Sequence, residues 1–208
     1  MATFQQRTID AFKSKLRGGG ARSNLFEVSF GSEEGGLPQS VLDLGITFEE
    51  GDLMLIKSAG LPASTITEIP VPFRGRTLKL GGDRTFDVWT ITVLNDTDFK
   101  WRRYFERWMN TITKVSDGSG SLNVLDYMVD MNVVQLSRGP IAPLNIRGND
   151  NGTTIGSLRR YVVKGVFPTN VSQIDLSYNN ENEIEEFTVD LQVQYWEAYT
   201  ETDAADVV

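Results

Sequence analysis

The chain is 208 residues long, carries a net charge of −8 and contains neither cysteine nor histidine. Those absences exclude a disulfide, a thiolate nucleophile, a cysteine-bound zinc and a Ser-His-Asp triad. The acidic balance argues against sequence-reading nucleic-acid binding, which draws most of its affinity from Lys and Arg on phosphates.

Length favours one domain, residues 1–208, with a substantial core. The opening MATFQQRTIDAFKSKL is too polar for a signal-peptide core. No apolar run reaches the length of a membrane span, so membrane insertion is not expected.

In chain order, Phe4–Leu16 places Phe4, Ile9, Phe12 and Leu16 at approximate helical spacing, and Gly18-Gly19-Gly20 ends the pattern. Residues 1–20 are then either a short packed helix or an arm that orders on a partner. Leu25–Phe30 alternates as a strand, with Phe26, Val28 and Phe30 on one face. Residues 31–51 read as a loop and Leu53–Lys57 as a strand.

The segment Leu61–Asp96 is dense in residues that fix a backbone path. Pro62, Pro70 and Pro72 remove amide donors, which predicts an extended but irregular path as far as Phe73. Gly75 and the pair Gly81-Gly82 suggest turns. Two strands, Thr77–Leu80 and Phe86–Leu94, are expected beside them, the second with Trp89, Ile91 and Val93 on one face.

Asp98–Ile112 carries the strongest helical pattern. Trp101, Tyr104, Phe105, Trp108, Met109 and Ile112 form one apolar stripe, and Asp96 or Thr97 can accept hydrogen bonds from the free amides at its start. The opposite side carries Lys100, Arg103 and Arg107, either a solvated face or a basic patch for an acidic partner protein.

Ser116–Ser121 is turn-rich and Val129–Leu136 reads as a strand. Residues 139–157 form a long excursion in which Asn149-Asp150-Asn151-Gly152 is a turn rather than a calcium loop, because ligand spacing and a closing Glu are missing. Arg160–Phe167 is a strand stopped by Pro168. Glu185–Trp196 alternates almost perfectly as a closing strand. Phe187, Val189, Leu191, Val193 and Tyr195 face one way, and Glu186, Thr188, Asp190, Gln192 and Gln194 the other. Residues 198–208 are expected to be a loose tail.

Three ordered blocks resemble the tail tube proteins of contractile-tailed, myovirus-type bacteriophages. The first is Ala21-Arg22-Ser23-Asn24-Leu25-Phe26. The second runs through Leu61-Pro62, Ile69-Pro70-Val71, Gly82-Asp83-Arg84-Thr85-Phe86-Asp87, Trp89-Thr90 and Asn95-Asp96. The third comprises Lys164 to Val171 and the ending from Asn182-Glu183-Ile184 to Tyr195-Trp196-Glu197.

The resemblance implies a mainly β fold, a β-sandwich or partly rolled barrel with one flanking amphipathic helix. It also implies inner sheets that fuse into one large barrel in a hexameric ring. Such rings stack into a hollow virion tube inside a contractile sheath, and phage DNA passes along the bore without sequence-specific binding. The implied partners are further copies of the chain, the sheath protein, the baseplate or tube-initiator protein and the tail terminator. Assembly in the host cytoplasm follows from the same likeness; an enzyme activity, a cofactor or a metal does not. Residues 31–51 and 139–157 depart from the family by their length, which leaves sheath and ring contacts open.

Carried over by position, Arg22, Arg76, Gly82, Asp83, Arg84, Thr85, Asp87, Pro168, Thr169 and Asn170 are candidates for the subunit or ring interface. Their other reading is local: turn formation, and pairing of Asp83 or Asp87 with Arg84. Glu186, Thr188, Asp190, Gln192 and Gln194 are lumen-facing candidates, since carboxylates and amides would not trap sliding DNA; the alternative places them on the tube exterior. Lys100, Arg103 and Arg107 are candidates to face the sheath. Tube proteins of type VI secretion or other contractile injection systems are an alternative. From another class, Trp89, Trp101, Trp108 and Trp196 allow a carbohydrate-binding module.

Overall fold

The computed structural model describes residues 9–16, 20–31, 54–138, 157–179 and 183–199. The excursions 32–51 and 139–156, the Asn149–Gly152 turn and the tail from 200 onward lie outside them. Packing divides the chain into two compact units, one of Val28–Val133 and Tyr161–Ala198, the other of Met1–Glu27, Val134–Arg160 and Tyr199–Val208.

The architecture is mainly β. Helix α1 (Ile9–Lys15) precedes β1 (Phe26–Phe30), β2 (Ile56–Ala59), β3 (Ser64–Phe73), β4 (Arg76–Phe86) and β5 (Trp89–Leu94). Helix α2 (Lys100–Ile112) and a 3₁₀ turn (Val124–Asp126) follow, then β6 (Val129–Leu136), β7 (Ser157–Val171), β8 (Glu186–Gln192) and β9 (Tyr195–Tyr199). Seven strands form one sheet in the order β1-β6-β7-β8-β5-β2, with β9 also on β7, while β3 and β4 form a separate two-stranded sheet.

In the larger unit α2 lies on the sheet as its stripe predicts. Trp101, Tyr104, Phe105 and Trp108 are buried with Ile91, Val93, Phe187, Val189 and Leu191. Each fully buried large side chain contributes on the order of 1.5–3 kcal/mol, enough collectively to dock one helix. Phe30 of β1 meets Trp101, Tyr104 and Trp108, and Phe105 meets Phe187 edge-on at 6.4 Å. The indole of Trp108 donates to the Tyr127 carbonyl at 2.7 Å, so burial leaves that N–H satisfied. At the start of α2, Asp96 accepts the Lys100 amide at 2.9 Å.

In the smaller unit, α1 is present but Ile9 and Phe12 are 69% and 64% exposed. A packed α1 is therefore not observed; Phe4, the first of its predicted apolar residues, lies outside the described chain. Gln135 donates to the carbonyls of Arg22 and Leu25, both at 2.6 Å, which fixes the chain ahead of β1.

Expectations are corrected at three places: the segment from Leu61 to Phe86, Pro168 and the closing strand. The strand β4 continues through Gly81-Gly82, where turns were expected, and Ser64–Phe73 is one continuous strand paired with it, irregular only at a single register shift. Pro168 does not stop β7. It pairs with Leu191, and the register slips between Pro168 and Asn170, which accommodates a residue without an amide donor.

The third correction concerns the closing strand, which breaks at Val193-Gln194 into β8 and β9. Phe187, Val189, Leu191 and Val193 are buried, yet Tyr195 is exposed, so the alternation changes phase there. The cause is a kink in β7. Gly165 has φ +61°, the Asp130 carboxylate binds both Lys164 Nζ at 2.7 Å and the Gly165 amide at 3.1 Å, and the Gln194 amide donates to the Lys164 carbonyl. Ala198 and Tyr199, expected in the tail, belong to β9.

Candidate assembly surface

The hairpin β3–β4 carries most of the residues singled out between Arg76 and Asp87. Its turn is Arg74-Gly75, both at positive φ (47° and 79°), the conformation that matches the twist of a two-residue hairpin. The pairs run Phe73 to Arg76, Val71 to Leu78 and Ile69 to Leu80. Because paired residues share a face, Ile69, Val71, Phe73, Leu78 and Leu80 form one apolar surface. All five are exposed, from 39% to 66%. The other face carries Pro70, Pro72, Thr77 and a Glu68–Lys79 ion pair at 2.7 Å.

The prolines have a positional meaning. Phe73 and Arg76 close the two-residue turn as a hydrogen-bonded pair, so Pro72–Thr77 and Pro70–Lys79 fall at the alternating positions whose amides would point away from β4. At those positions proline costs the hairpin nothing and strips donors from the outer edge of β3. The outer edge of β4 contains no proline. A two-stranded ribbon is marginal alone, and among the described residues this one is fastened at its base: Trp196 donates to the Ala63 carbonyl at 3.1 Å and meets Phe86 edge-on at 6.4 Å.

Arg76 sits at the tip. Gly82 and Asp83 together oppose the single residue Thr67, forming a bulge. A Cβ on Gly82 would lie 2.8 Å from the Thr67 carbonyl oxygen, so close backbone approach explains this glycine. Arg84 and Thr85 pair with Ile66 and Thr65, and the Asp87 amide reaches the Ala63 carbonyl. No ion pair joins Arg84 to Asp83 or Asp87 among the described residues; the expected local pairing is not formed, and these charges point to solvent. Arg22 is exposed in the smaller unit.

The remaining interface candidates meet the lumen candidates. Thr169 donates to the Asp190 carbonyl at 3.1 Å, while Asn170 and Thr90 donate to its two carboxylate oxygens at 3.0 and 2.7 Å. These hydrogen bonds, Asn170 first, hold the Asp190 carboxyl below the usual range. Pro168 is buried. Along the same face Thr188 pairs with Thr92, and Glu186 is joined to Lys57. Gln192 ends β8; Gln194 lies beyond the break and does not continue the row. The face is thus a lattice of hydroxyls and amides around restrained carboxylates.

On α2, Arg103 and Arg107 are exposed and Lys100 is half-buried. Arg102, not singled out by the pattern, turns inward: its guanidinium reaches the Ser172 carbonyl and the Phe187 ring and pairs with Glu106. The tryptophans offer no open sugar platform, because Trp89, Trp101 and Trp108 are buried and Trp196 anchors the hairpin. The apolar hairpin face was missed by the sequence reading, although its signal is present as alternation in Ile69-Pro70-Val71-Pro72-Phe73 and Leu78-Lys79-Leu80.

The sequence profile of the phage tail tube protein family matches residues 21–199. The tail tube protein gp19 of Enterobacteria phage T4 is 32% identical over 194 residues, 93% of this chain and 99% of that protein. Among solved structures, the anti-feeding prophage tube-terminating cap superposes with a TM-score of 0.53 at 16% identity, covering 96% of this chain and 99% of that one. A chain from the sheath–tube complex of the extracellular contractile injection system PVC gives 0.50 at 13% identity, covering 94% and 99%. At such identity these two structures share the fold.

Proposed function

The chain belongs to the phage tail tube protein family, and on that premise we propose that its copies close into hexameric rings that stack as the hollow inner tube of a contractile tail. The protein is a structural component of the tail in this reading, one tube domain over residues 1–208, assembled in the host cytoplasm and without catalytic work. The observation that carries the proposal is the exposed hairpin: one apolar face, one strand edge that lacks two of its donors and one edge that keeps all of its own. Pairing with another copy would cover that face and satisfy that edge. Arg76, Gly82, Asp83, Arg84, Thr85 and Asp87 then sit at a contact between copies, with Arg22 a further candidate.

The β5–β8 polar face supports a bore lining. Glu186, Thr188, Asp190 and Gln192 carry no positive charge and Lys57 beside them is paired with Glu186, so this face would not grip passing DNA by counterion release. Lys100, Arg103 and Arg107 remain the proposed approach for the sheath, and baseplate initiator and terminator proteins the proposed partners at the tube ends.

Negative-stain electron microscopy of the purified chain across concentration and salt tests the reading. Hollow tubes or six-fold rings are expected. A monomer at every concentration, even when seeded with tail baseplates, would overturn it.

A further inference from the structure

The turn that follows α2 holds a chemically labile dipeptide, Asp117-Gly118. An aspartate rearranges most readily before glycine, which sets no side chain in the path of the attacking nitrogen. In that reaction the Gly118 peptide nitrogen loses its proton and bonds to Cγ of the protonated Asp117 carboxyl, which gives up water. Water then opens the resulting succinimide at the original main-chain carbonyl, breaking its bond to nitrogen. The product is isoaspartate. One water leaves and one enters, nothing is oxidised, and the main chain gains a methylene.

Burial does not shield the pair, since residues 113–120 are all exposed. Hydrogen bonds oppose the reaction instead. The Gly118 N–H donates to the Lys114 carbonyl at 2.9 Å, which keeps the proton on the attacking nitrogen. The Ser119 hydroxyl and amide both donate to Asp117 Oδ1, at 2.6 and 2.9 Å. These bonds, the hydroxyl foremost, and the Lys114 charge hold the Asp117 carboxyl below its ordinary range. An ionised carboxylate has no oxygen ready to leave as water.

The turn closes tightly on α2. The Lys114 amide donates to the Ser119 carbonyl at 2.6 Å, the Ser121 amide to the Thr111 carbonyl at 3.2 Å and the Val115 amide to Asn110 Oδ1 at 3.1 Å. A Cβ on Gly120 would lie 1.9 Å from the Ile112 carbonyl oxygen, so the backbone has no slack there. A main chain lengthened by a methylene at residue 117 could not keep this closure, and the end of α2 would lose its cap. We propose that Asp117 is a latent isomerisation site and that this turn, through the Ser119 hydroxyl, keeps it unreacted. Ser119 is a positioning residue: it acts on the carboxylate rather than on the attacking nitrogen.

The test ages the purified chain at mildly acidic pH, folded in buffer and unfolded in urea. The tryptic peptide 115–138 carries Asp117 and no other Asp-Gly or Asn-Gly pair. Chromatography separates its isoaspartyl form, and mass spectrometry identifies it. The parent should form isoaspartate at least about tenfold faster in urea than in buffer, because unfolding removes all these hydrogen bonds together. Ser119→Ala should react about fivefold faster than the parent in buffer, the effect of one lost hydrogen bond. In urea the two should react at the same rate, which separates the turn from the intrinsic chemistry. Ser119 is exposed, so the thermal unfolding midpoint of the variant should match that of the parent.

No isoaspartate in urea would overturn the site itself. Equal parent rates in buffer and urea would overturn the protection. A Ser119→Ala rate in buffer no higher than the parent's would overturn the role of Ser119. The experiment reads the free chain, so each outcome is independent of tube formation.

Discussion

A Cβ placed on Gly165 would stand 2.6 Å from Cγ of Gln194, and Gly165 itself lies at φ +61°. The two residues form the corner at which β7 kinks and the closing strand divides into β8 and β9. Gly165→Ala should cost about 1–3 kcal/mol from the left-handed backbone alone, with the clash added. Thermal unfolding checks this: the midpoint should fall by several degrees, and adding Gln194→Ala should recover only the part due to the clash.

Asp190 holds the polar lattice of β5, β7 and β8 together. Its folded carboxyl titrates below the ordinary value through the bonds from Asn170 and Thr90. A depressed folded value stabilises the protein at pH above the unfolded carboxylate value and loses that contribution as pH falls through the folded one. Asn170→Ala should therefore move the Asp190 midpoint upward in a carboxyl NMR titration and bring acid unfolding to higher pH. An unchanged midpoint would contradict the hydrogen-bond origin of the shift.

The hairpin face separates assembly from folding. Val71→Thr with Leu78→Thr changes two exposed side chains, so the monomer should unfold within about 0.5 kcal/mol of the parent. Tube or ring formation, followed by light scattering, should weaken by at least tenfold in concentration if that face is buried between copies.

Pro70 and Pro72 predict the reverse kind of defect. Replacing both by Thr restores two amide donors to the outer edge of β3. Off-pathway aggregates should then appear in sedimentation at concentrations where the parent is monodisperse, because a previously blunted edge becomes able to pair. Equal sedimentation profiles would argue against edge protection.

The parts of this fold that were legible in the sequence are those whose signal is local. The α2 stripe from Trp101 to Trp108 and the alternation of β8 each follow from one periodicity read within one segment. The hairpin was not legible because proline and glycine were read as interruptions. Pro70 and Pro72 occupy positions that need no donor, and Gly82 lies at a bulge, facts fixed by the partner strand. The β8–β9 break was hidden for a similar reason, since Gly165 imposes it from another strand. At the polar face, composition pointed to Asp190 and Asn170 separately. Their bond, and that of Thr90, joins residues 20 and 100 positions apart.

The pattern of donors on the hairpin also makes its two edges unequal. Pro70 and Pro72 remove two outward donors from β3, while β4 keeps all of its own. Strand addition is therefore favoured beside β4 and disfavoured beside β3. A ribbon that accepts a neighbour on one side only ends a run instead of extending it, so growth beyond a pair would need a second surface of the chain.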